Sequence, residues 1–183
     1  MRIIAGRYGG RRLSSFEAKH LRPTTDRTKE SLFGRLTPHL EGARVLDLFS
    51  GTGSLGLEAL SRGAAYVDFV EQHRKSLNIL RKNIRALDLP GSVYQVHSQD
   101  VFKFLKNYKG EPYQIIFADP PFTEKIADAV GQAVANSVVG GPGSLWVMES
   151  GGSEPLAEGY GSWESLYRKS FGDKVLSFFI IPE

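Results

Sequence analysis

A short polar loop, stiffened by two prolines, follows an apolar segment in the second half of the chain. Asp119, Pro120, Pro121 and Phe122 come directly after Ile115-Ile116-Phe117-Ala118. The Asp119 carboxylate and the Pro120 carbonyl can both accept hydrogen bonds from an amino group, and the proline rings fix the backbone that holds them. The Phe122 ring offers a face on which a nucleobase can stack. These residue types suit catalysis at an exocyclic base amine, whose lone pair must be directed at an electrophile.

A glycine-rich segment, Val45-Leu46-Asp47-Leu48-Phe49-Ser50-Gly51-Thr52-Gly53-Ser54-Leu55-Gly56, lies earlier in the chain. An apolar strand that runs through glycines into a helix brings backbone N–H groups against a nucleotide-like ligand. The glycine spacing also satisfies the dinucleotide fingerprint, so a nicotinamide-dependent dehydrogenase is an alternative. Asp47 favours another ligand, because its carboxylate would repel a diphosphate but attract the ammonium and sulfonium of S-adenosylmethionine. The residues predicted to bind this methyl donor here are Asp47, Phe49, Gly51 and Gly53.

Acidic residues also follow the next two apolar segments. Glu71 can accept hydrogen bonds from both hydroxyls of a ribose, and Gln72 would then lie alongside the adenine. Asp100 can accept a hydrogen bond from the adenine amine while Val101 packs on the ring. The alternative for Asp100 is the N-cap of a helix that begins at Val101. The predicted cofactor-binding set is completed by these four residues.

The elements that must position these loops alternate between strand and helix. Strands are predicted at 44–49, 66–70, 92–97, 114–118 and 144–149, and helices at 54–62, 73–87, 101–107 and 123–137. This alternation predicts right-handed βαβ units in an α/β fold, with both loops at the carboxyl ends of parallel strands. Two further strands, 162–168 and 174–181, predict a C-terminal antiparallel hairpin. The expected architecture is a Rossmann-like, mostly parallel, seven-stranded sheet.

The first forty residues are predicted to form an N-terminal extension, with residues 41–183 forming the catalytic domain. Residues 2–13 resemble a β-hairpin, and a helix is expected from Thr25 or Asp26 to about Leu40. The first 35 residues hold nine Lys or Arg and three Asp or Glu, which gives them a net charge of +6. Because the whole chain has a net charge of +3, the remaining residues have a net charge of −3. Charge concentrated in this way predicts binding of a polyanion such as a nucleic acid, although a solvated basic face is the alternative.

Six arginines of the extension are predicted to contact an RNA backbone: Arg2, Arg7, Arg11, Arg12, Arg22 and Arg27. Two of them, Arg22 and Arg27, have an alternative role as partners of Asp26 or Glu30. Replacing several of the six should weaken RNA binding and flatten its salt dependence, because fewer counterions are released from the phosphates.

The composition excludes several other classes of site. The chain contains no cysteine, which removes disulfides and thiol nucleophiles and fits a reducing cytoplasm. Its four histidines show no metal-ligand spacing, so no metal is expected. The amino terminus lacks the apolar core of a signal peptide, and no apolar run is long enough to span a bilayer. A cytoplasmic monomer is the expectation.

The chain resembles the bacterial RsmD family of 16S rRNA guanine-N2 methyltransferases. The resemblance covers nearly the whole chain and rests on Arg2-Ile3-Ile4-Ala5-Gly6, Gly10-Arg11-Arg12-Leu13, Arg22-Pro23-Thr24-Thr25-Asp26-Arg27, Asp47-Leu48-Phe49-Ser50-Gly51-Thr52-Gly53, the segment 55–63, and Asp119-Pro120-Pro121-Phe122. It implies a class I methyltransferase fold, S-adenosylmethionine as methyl donor, and N2 of one guanine in 16S rRNA as acceptor. It also implies that the substrate is the 30S subunit or an assembly intermediate.

One residue departs from the family pattern that we expect. Gly34 stands where the family would have an asparagine, inside the predicted N-terminal helix. Glycine in a helix costs roughly 1 kcal/mol relative to alanine, so either the helix is weakened or another backbone segment approaches it there.

Two further functional classes remain as alternatives. DNA adenine-N6 methylation would use the same catalytic groups, but so short a chain shows no obvious target-recognition domain. A non-enzymatic RNA-binding factor that retains a decayed methyltransferase fold is disfavoured because Asp47, Glu71 and Asp119 are all intact.

Overall fold

The computed structural model describes residues 1–16 and 26–183, and these residues form one mixed β-sheet with helices on both faces. The helices are α1 (Asp26–Leu40), α2 (Ser54–Ser61), α3 (Arg74–Ala86), α4 (Val101–Asn107) and α5 (Ala127–Ala135). The strands are β1 (Arg44–Leu48), β2 (Tyr66–Glu71), β3 (Tyr94–Ser98), β4 (Ile115–Ala118), β5 (Leu145–Gly151), β6 (Gly159–Tyr160), β7 (Trp163–Phe171) and β8 (Lys174–Ile180).

The strand order is β3-β2-β1-β4-β5-β8-β7-β6. The first five strands of the chain are parallel, whereas β8 runs antiparallel between β5 and β7. The order 3-2-1-4-5 is shared with dinucleotide-binding folds, but there the next strand is parallel to the rest. The antiparallel β8 therefore separates this sheet from the dehydrogenase architecture. The predicted α/β, mostly parallel fold class with a C-terminal antiparallel hairpin is confirmed.

The main differences from the prediction are an additional strand and a later start of one helix. The additional strand is β6, whose two residues are too few to give an alternating pattern. Helix α5 begins at Ala127 instead of residue 123, because the chain first makes a turn in which the Glu124 amide donates to the Pro121 carbonyl at 3.1 Å. The predicted N-terminal hairpin is present: Arg2 and Arg12 form an antiparallel bridge, and the amides of Ile3 and Leu13 donate to the carbonyls of Arg11 and Met1, each at 2.9 Å.

Two apolar clusters lie on opposite faces of the sheet. In β1, Val45 points into one cluster with α1, α2 and α3, while Leu46 and Leu48 point into the other with α4 and α5. This follows from the period of two in a strand, and both faces are covered because parallel strands lie between helices. Helix α1 adds to the first cluster, where Phe33 packs on Phe117 with ring centroids 5.6 Å apart.

A buried carboxylate fastens the N-terminal residues to the sheet domain. Glu58 of α2 is fully buried and accepts hydrogen bonds from the backbone amides of Ile4 at 2.8 Å and Ala5 at 3.1 Å. It also forms salt bridges with Lys29 of α1 at 2.9 Å and Arg62 at 2.7 Å. Burial alone would raise the pKa of Glu58, but the attraction of Lys29 and the amide of Ile4 bring it below its usual value. The chain start, α1 and α2 thus share one ionised group.

Within the described ranges, no helix has both the length and the apolar character needed to cross a membrane.

Candidate active site

A cleft of about 660 Å³ opens at the carboxyl ends of the parallel strands. Loops after β1, β2, β3, β4 and β5 contribute to its wall, as expected for ligand binding by an open α/β sheet. The predicted site residues that line it are Phe49, Gly51, Glu71, Gln72, Asp100, Val101, Asp119, Pro120, Pro121 and Phe122. The cleft therefore brings the glycine-rich turn and the Asp119 loop to the same opening. Asp47 and Gly53 lie behind this wall.

Asp47 lies beneath the glycine-rich turn. Only 2% of it is exposed, and its Oδ2 accepts a hydrogen bond from the Gly56 amide at 2.9 Å. Burial raises the pKa of Asp47 to about 7, the Gly56 amide opposes this, and the nearby Glu71 adds to it. A side chain at Gly56 would lie 2.3 Å from the Phe69 ring, so only glycine allows helix α2 to approach β1 and β2 this closely. Asp47 thereby fixes the start of α2 relative to the strand.

The turn itself is held by Ser50 and contains a strained residue. Ser50 Oγ donates to the Asp47 carbonyl at 2.6 Å, and the Ser50 amide donates to the Val70 carbonyl at 3.0 Å. Phe49 has a φ of 58°, in the left-handed region that costs a residue with a side chain about 1–3 kcal/mol. Gly53 has a φ of 89°, with the Leu80 side chain close to the position of a Cβ. These contacts hold the turn open towards the cleft.

Glu71 at the end of β2 connects the turn to the adjacent loop. Its Oε2 accepts from the Gly51 amide at 2.9 Å, and its Oε1 accepts from the His73 amide at 2.7 Å. A carboxylate oxygen has two lone-pair sites, so each oxygen can accept one further hydrogen bond from a ligand in the cleft.

Asp100 caps a helix, which is the alternative that the sequence offered to adenine binding. Its Oδ1 accepts from the Lys103 amide at 2.9 Å, and it is the N-cap of α4. The residue also lies in the cleft wall next to Val101 and Phe102. One carboxylate can serve both purposes, because capping uses a single oxygen.

The Asp119 loop contains a closely packed group of charges. Glu149 of β5 forms an ion pair with Lys174 at the start of β8, and it lies close enough to Asp119 for the two carboxyl groups to share a hydrogen bond. Burial raises the pKa of Asp119 well above its usual value, the charge of Glu149 adds to this effect, and Lys174 opposes it. Beyond this group, Phe122 is 50% exposed at the rim, with its ring over Gly151.

Sequence reasoning missed both partners of Asp119. Glu149 could have been found, because it too follows an apolar run, in a strand parallel to the one before Asp119. Lys174 could not, because its position depends on the insertion of β8 beside β5. No local pattern in the sequence indicates that insertion.

The first residues of the chain also reach the cleft, which the sequence did not predict. Met1, Ser15 and Phe16 contribute to its wall. The fully buried Asn83 of α3 accepts from the Ser14 amide at 2.7 Å and donates to the carbonyls of Ser14 and Thr52, each at 2.9 Å. One amide side chain thus joins the N-terminal segment to the glycine-rich turn.

Five of the arginines predicted to bind RNA are exposed: Arg2, Arg7, Arg11, Arg12 and Arg27. Arg2 pairs with Asp26 at 2.8 Å, and Arg11 donates to the Ala86 carbonyl at 3.1 Å. The sixth, Arg22, lies outside the described residues, as does most of the Arg22–Arg27 motif. Within residues 1–16 and 26–183, no cluster of three or more His, Cys, Asp or Glu could hold a metal ion.

The fold and the position of the cleft define the class of protein. An order of β3-β2-β1-β4-β5, with β8 antiparallel beside β5 and a glycine-rich turn after β1, is that of a class I, Rossmann-like methyltransferase fold. Residues 1–180 match the family model described as "Conserved hypothetical protein 95". The chain belongs to this family, the RsmD family.

Relatives and solved structures agree with this assignment. The chain is 36% identical over 173 residues to "Ribosomal RNA small subunit methyltransferase D" of Haemophilus influenzae, covering 94% of this chain and 89% of the relative. It is 43% identical over 122 residues to the protein of the same name in Escherichia coli K12, covering 67% and 60%. The solved structure of yhhF from Escherichia coli matches with a TM-score of 0.87 at 33% identity, covering 100% and 98%.

Proposed function

We propose that this protein transfers a methyl group from S-adenosylmethionine to N2 of a guanine in 16S rRNA of the small ribosomal subunit. The observation that carries the proposal is the shared cleft, in which an amine-accepting Asp119 loop faces a glycine-rich turn. Relatives named as small-subunit rRNA methyltransferases support the choice of an rRNA substrate.

The cleft suits the proposed cofactor. Glu71 lies in the wall with acceptor capacity for ribose hydroxyls, and Phe49 and Val101 add apolar surface for a base. Asp47 and Glu71 place two carboxyl groups at the turn, which disfavours a diphosphate and favours a cation. A cation bound near Asp47 would lower the pKa that burial has raised. When bound, the sulfonium supplies an electrophilic methyl group.

The chain's own contribution to the reaction is orientation of the amine. Asp119 and the Pro120 carbonyl accept hydrogen bonds from N2, which localises a lone pair that is otherwise delocalised into the ring. Pro120 and Pro121 hold these acceptors before the substrate arrives, so their reorganisation costs little during the reaction. The half-exposed Phe122 ring stacks on the unpaired or flipped base.

We further propose that residues 1–40 form an RNA-binding extension of the methyltransferase domain at residues 41–183. The exposed arginines supply positive charge for the phosphates, and Met1, Ser15 and Phe16 bring the same segment to the edge of the cleft. The backbone of the RNA would then be bound beside the pocket that receives the base.

The direct test is transfer of labelled methyl from S-adenosylmethionine to unmethylated 30S particles, naked 16S rRNA and duplex DNA, followed by nucleoside analysis. N2-methylguanosine from a ribosomal substrate is the expected product. N6-methyladenosine in DNA would replace the proposal with DNA adenine methylation. Absence of transfer to all three would overturn the proposed activity.

A variant separates catalysis from cofactor binding. Asp119→Ala should abolish turnover while S-adenosylmethionine still binds, as measured by calorimetry. Glu164→Ala, an equivalent truncation of an exposed carboxylate on β7 outside the cleft, is the matched control and should keep its activity. Near-normal turnover of Asp119→Ala would mean that this loop is not the catalytic centre.

A further inference from the structure

Three charged residues from three separate strands meet at one end of the cleft. Asp119 follows β4, Glu149 belongs to β5, and Lys174 begins β8. Glu149 is 7% exposed, forms an ion pair with Lys174 and lies within hydrogen-bonding reach of the half-buried Asp119. The charge of Glu149 disfavours ionisation of Asp119, whereas the ammonium of Lys174 favours it.

Methyl transfer to an amine requires a proton acceptor. As the bond between N2 and the methyl carbon forms, the sulfur–carbon bond of the sulfonium donor breaks and its electron pair stays on sulfur as a thioether. The nitrogen is left with an excess proton and a positive charge, and loss of that proton restores a neutral amine. Asp119 is the carboxylate proposed to accept a hydrogen bond from this nitrogen, so it is the nearest proton acceptor.

We propose that Glu149 and Lys174 are positioning residues that set the proton affinity of Asp119, so that Asp119 takes up the proton released from N2 and shares it with Glu149. This inference rests on the proposed function. The proton would move from N2 to the Asp119 carboxylate and be held in the Asp119–Glu149 hydrogen bond, while Lys174 balances the remaining negative charge. The proton is returned to solvent after the product leaves.

The electrostatic surroundings support these opposing roles. Burial and Glu149 raise the pKa of Asp119, Asp47 raises it further from β1, and Lys174 lowers it from β8. The pKa of Lys174 is itself raised, since the attraction of Glu149, Asp119 and Asp173 outweighs burial. Glu71, Asp100, Glu124, Glu154 and Asp173 also line the cleft.

The competing explanation is that the Glu149–Lys174 pair only joins β5 to β8. A purely structural pair would affect stability but would leave the pH dependence of the reaction unchanged. The two explanations therefore predict different pH profiles of turnover. Under the proposal, replacing Glu149 and replacing Lys174 should shift the profile in opposite directions, whereas a structural pair predicts no shift.

The experiment measures kcat against pH on the substrate that is methylated. In the native enzyme we expect the rate to rise with pH as Asp119 loses its proton. Glu149→Gln removes a negative charge and should move this rise to lower pH by about one pH unit or more. Lys174→Gln removes a positive charge and should move it to higher pH. Lys174→Arg should restore the native profile, and Glu124→Gln controls for the loss of a carboxylate elsewhere in the cleft.

A second measurement does not depend on turnover. The ¹³C chemical shift of the Asp119 carboxyl carbon can be followed against pH by NMR in the protein without methyl donor. Opposite displacements of its midpoint in Glu149→Gln and Lys174→Gln support the proposal, and unchanged midpoints in both folded variants overturn it. If the native protein methylates nothing, the proposed function fails, while this titration still decides whether the pair controls the Asp119 proton.

Discussion

Asp47 is a carboxyl group held where its charge is disfavoured. It lies beneath the glycine-rich turn, almost fully buried, and its hydrogen bond from Gly56 does not offset the loss of water. Such a residue weakens the fold when it is ionised, and we propose that it is kept because its charge attracts the methyl donor. A functional role and a cost in stability are thus expected at the same position.

Replacing Asp47 by asparagine should stabilise the protein, and the gain should grow as the pH rises from acidic to alkaline values. Because the folded-state pKa of Asp47 is raised to about 7, the folded protein keeps a proton that the unfolded chain releases near pH ~3.9. The stability that this proton provides is lost as pH rises through that interval. Asparagine does not titrate, and its amide oxygen can still accept from Gly56.

Denaturant unfolding at about pH 5 and about pH 8 tests this prediction. The gain in free energy of unfolding of Asp47→Asn over the native protein should be larger at the higher pH by at least about 1 kcal/mol. The reason is that one pKa unit corresponds to roughly 1.4 kcal/mol. An equal difference at both values would contradict it. Weaker binding of S-adenosylmethionine by the same variant is expected if Asp47 attracts the cation.

Gly34 is the second position where a single residue determines stability. It lies exposed in α1, and nothing in the described part of the chain comes within 4 Å of the position that a Cβ would occupy there. No close approach therefore requires glycine, which leaves the weakened helix as the consequence. Gly34→Ala should raise the free energy of unfolding by roughly 0.5–1 kcal/mol. A thermal melt with no change or a loss in Tm would contradict this prediction.

At the scale of elements, the Lys29–Glu58 ion pair determines how α1 is attached. Both side chains are almost completely buried, and burial lowers the pKa of Lys29 while Glu58 partly opposes this. Removal of one partner leaves the other charge buried, which is more costly than the net contribution of an intact pair. Arg62 remains as a second partner of Glu58 and should moderate the loss.

Lys29→Met should reduce the free energy of unfolding by about 3 kcal/mol. Pairing it with Glu58→Gln in a double-mutant cycle should show positive coupling, because the double variant leaves no unpaired ion between these two positions. Additive effects would indicate that the two residues act independently. Arg2→Met, which breaks the exposed pair with Asp26, is a control expected to change stability by less than about 1 kcal/mol.

At the scale of the whole molecule, the basic N-terminal residues lie on one side of the sheet. The N-terminal residues pack with α1, α2 and α3 against one face, through Ile3 and Leu13, whereas α4 packs on the other face. If residues 1–40 bind RNA, cations on these two faces should differ in their effect on affinity.

Replacing Arg7, Arg11 and Arg12 by glutamine should weaken RNA binding and reduce the slope of log K against log salt by about 0.7–0.9 for each phosphate that the variant no longer neutralises. The matched control replaces three exposed lysines on the opposite side of the sheet, Lys103, Lys106 and Lys109. This control should leave the slope near its native value. Equal slopes for both triple variants would refute a localised RNA-binding face.

The order of helices and strands could be predicted from the sequence because it depends on local patterns. Apolar runs, glycines and caps report the conformation of nearby residues, and the parallel βαβ rule then places the ends of strands at one edge. For this reason the Asp119 loop and the turn at Gly51 could be assigned to one site from the sequence alone. The two-residue β6 has no such pattern.

Only the tertiary structure decided which groups surround those loops. The pairing of β8 with β5 brings Lys174 to Glu149, Asn83 joins Ser14 to the turn at Thr52, and Glu58 connects the chain start with α1. These contacts join residues that are far apart in the chain, and a single sequence contains no periodic pattern that relates them. They depend on the order in which the strands pair and on which helices pack on each face of the sheet. Those long-range contacts set the burial and the charge of the site.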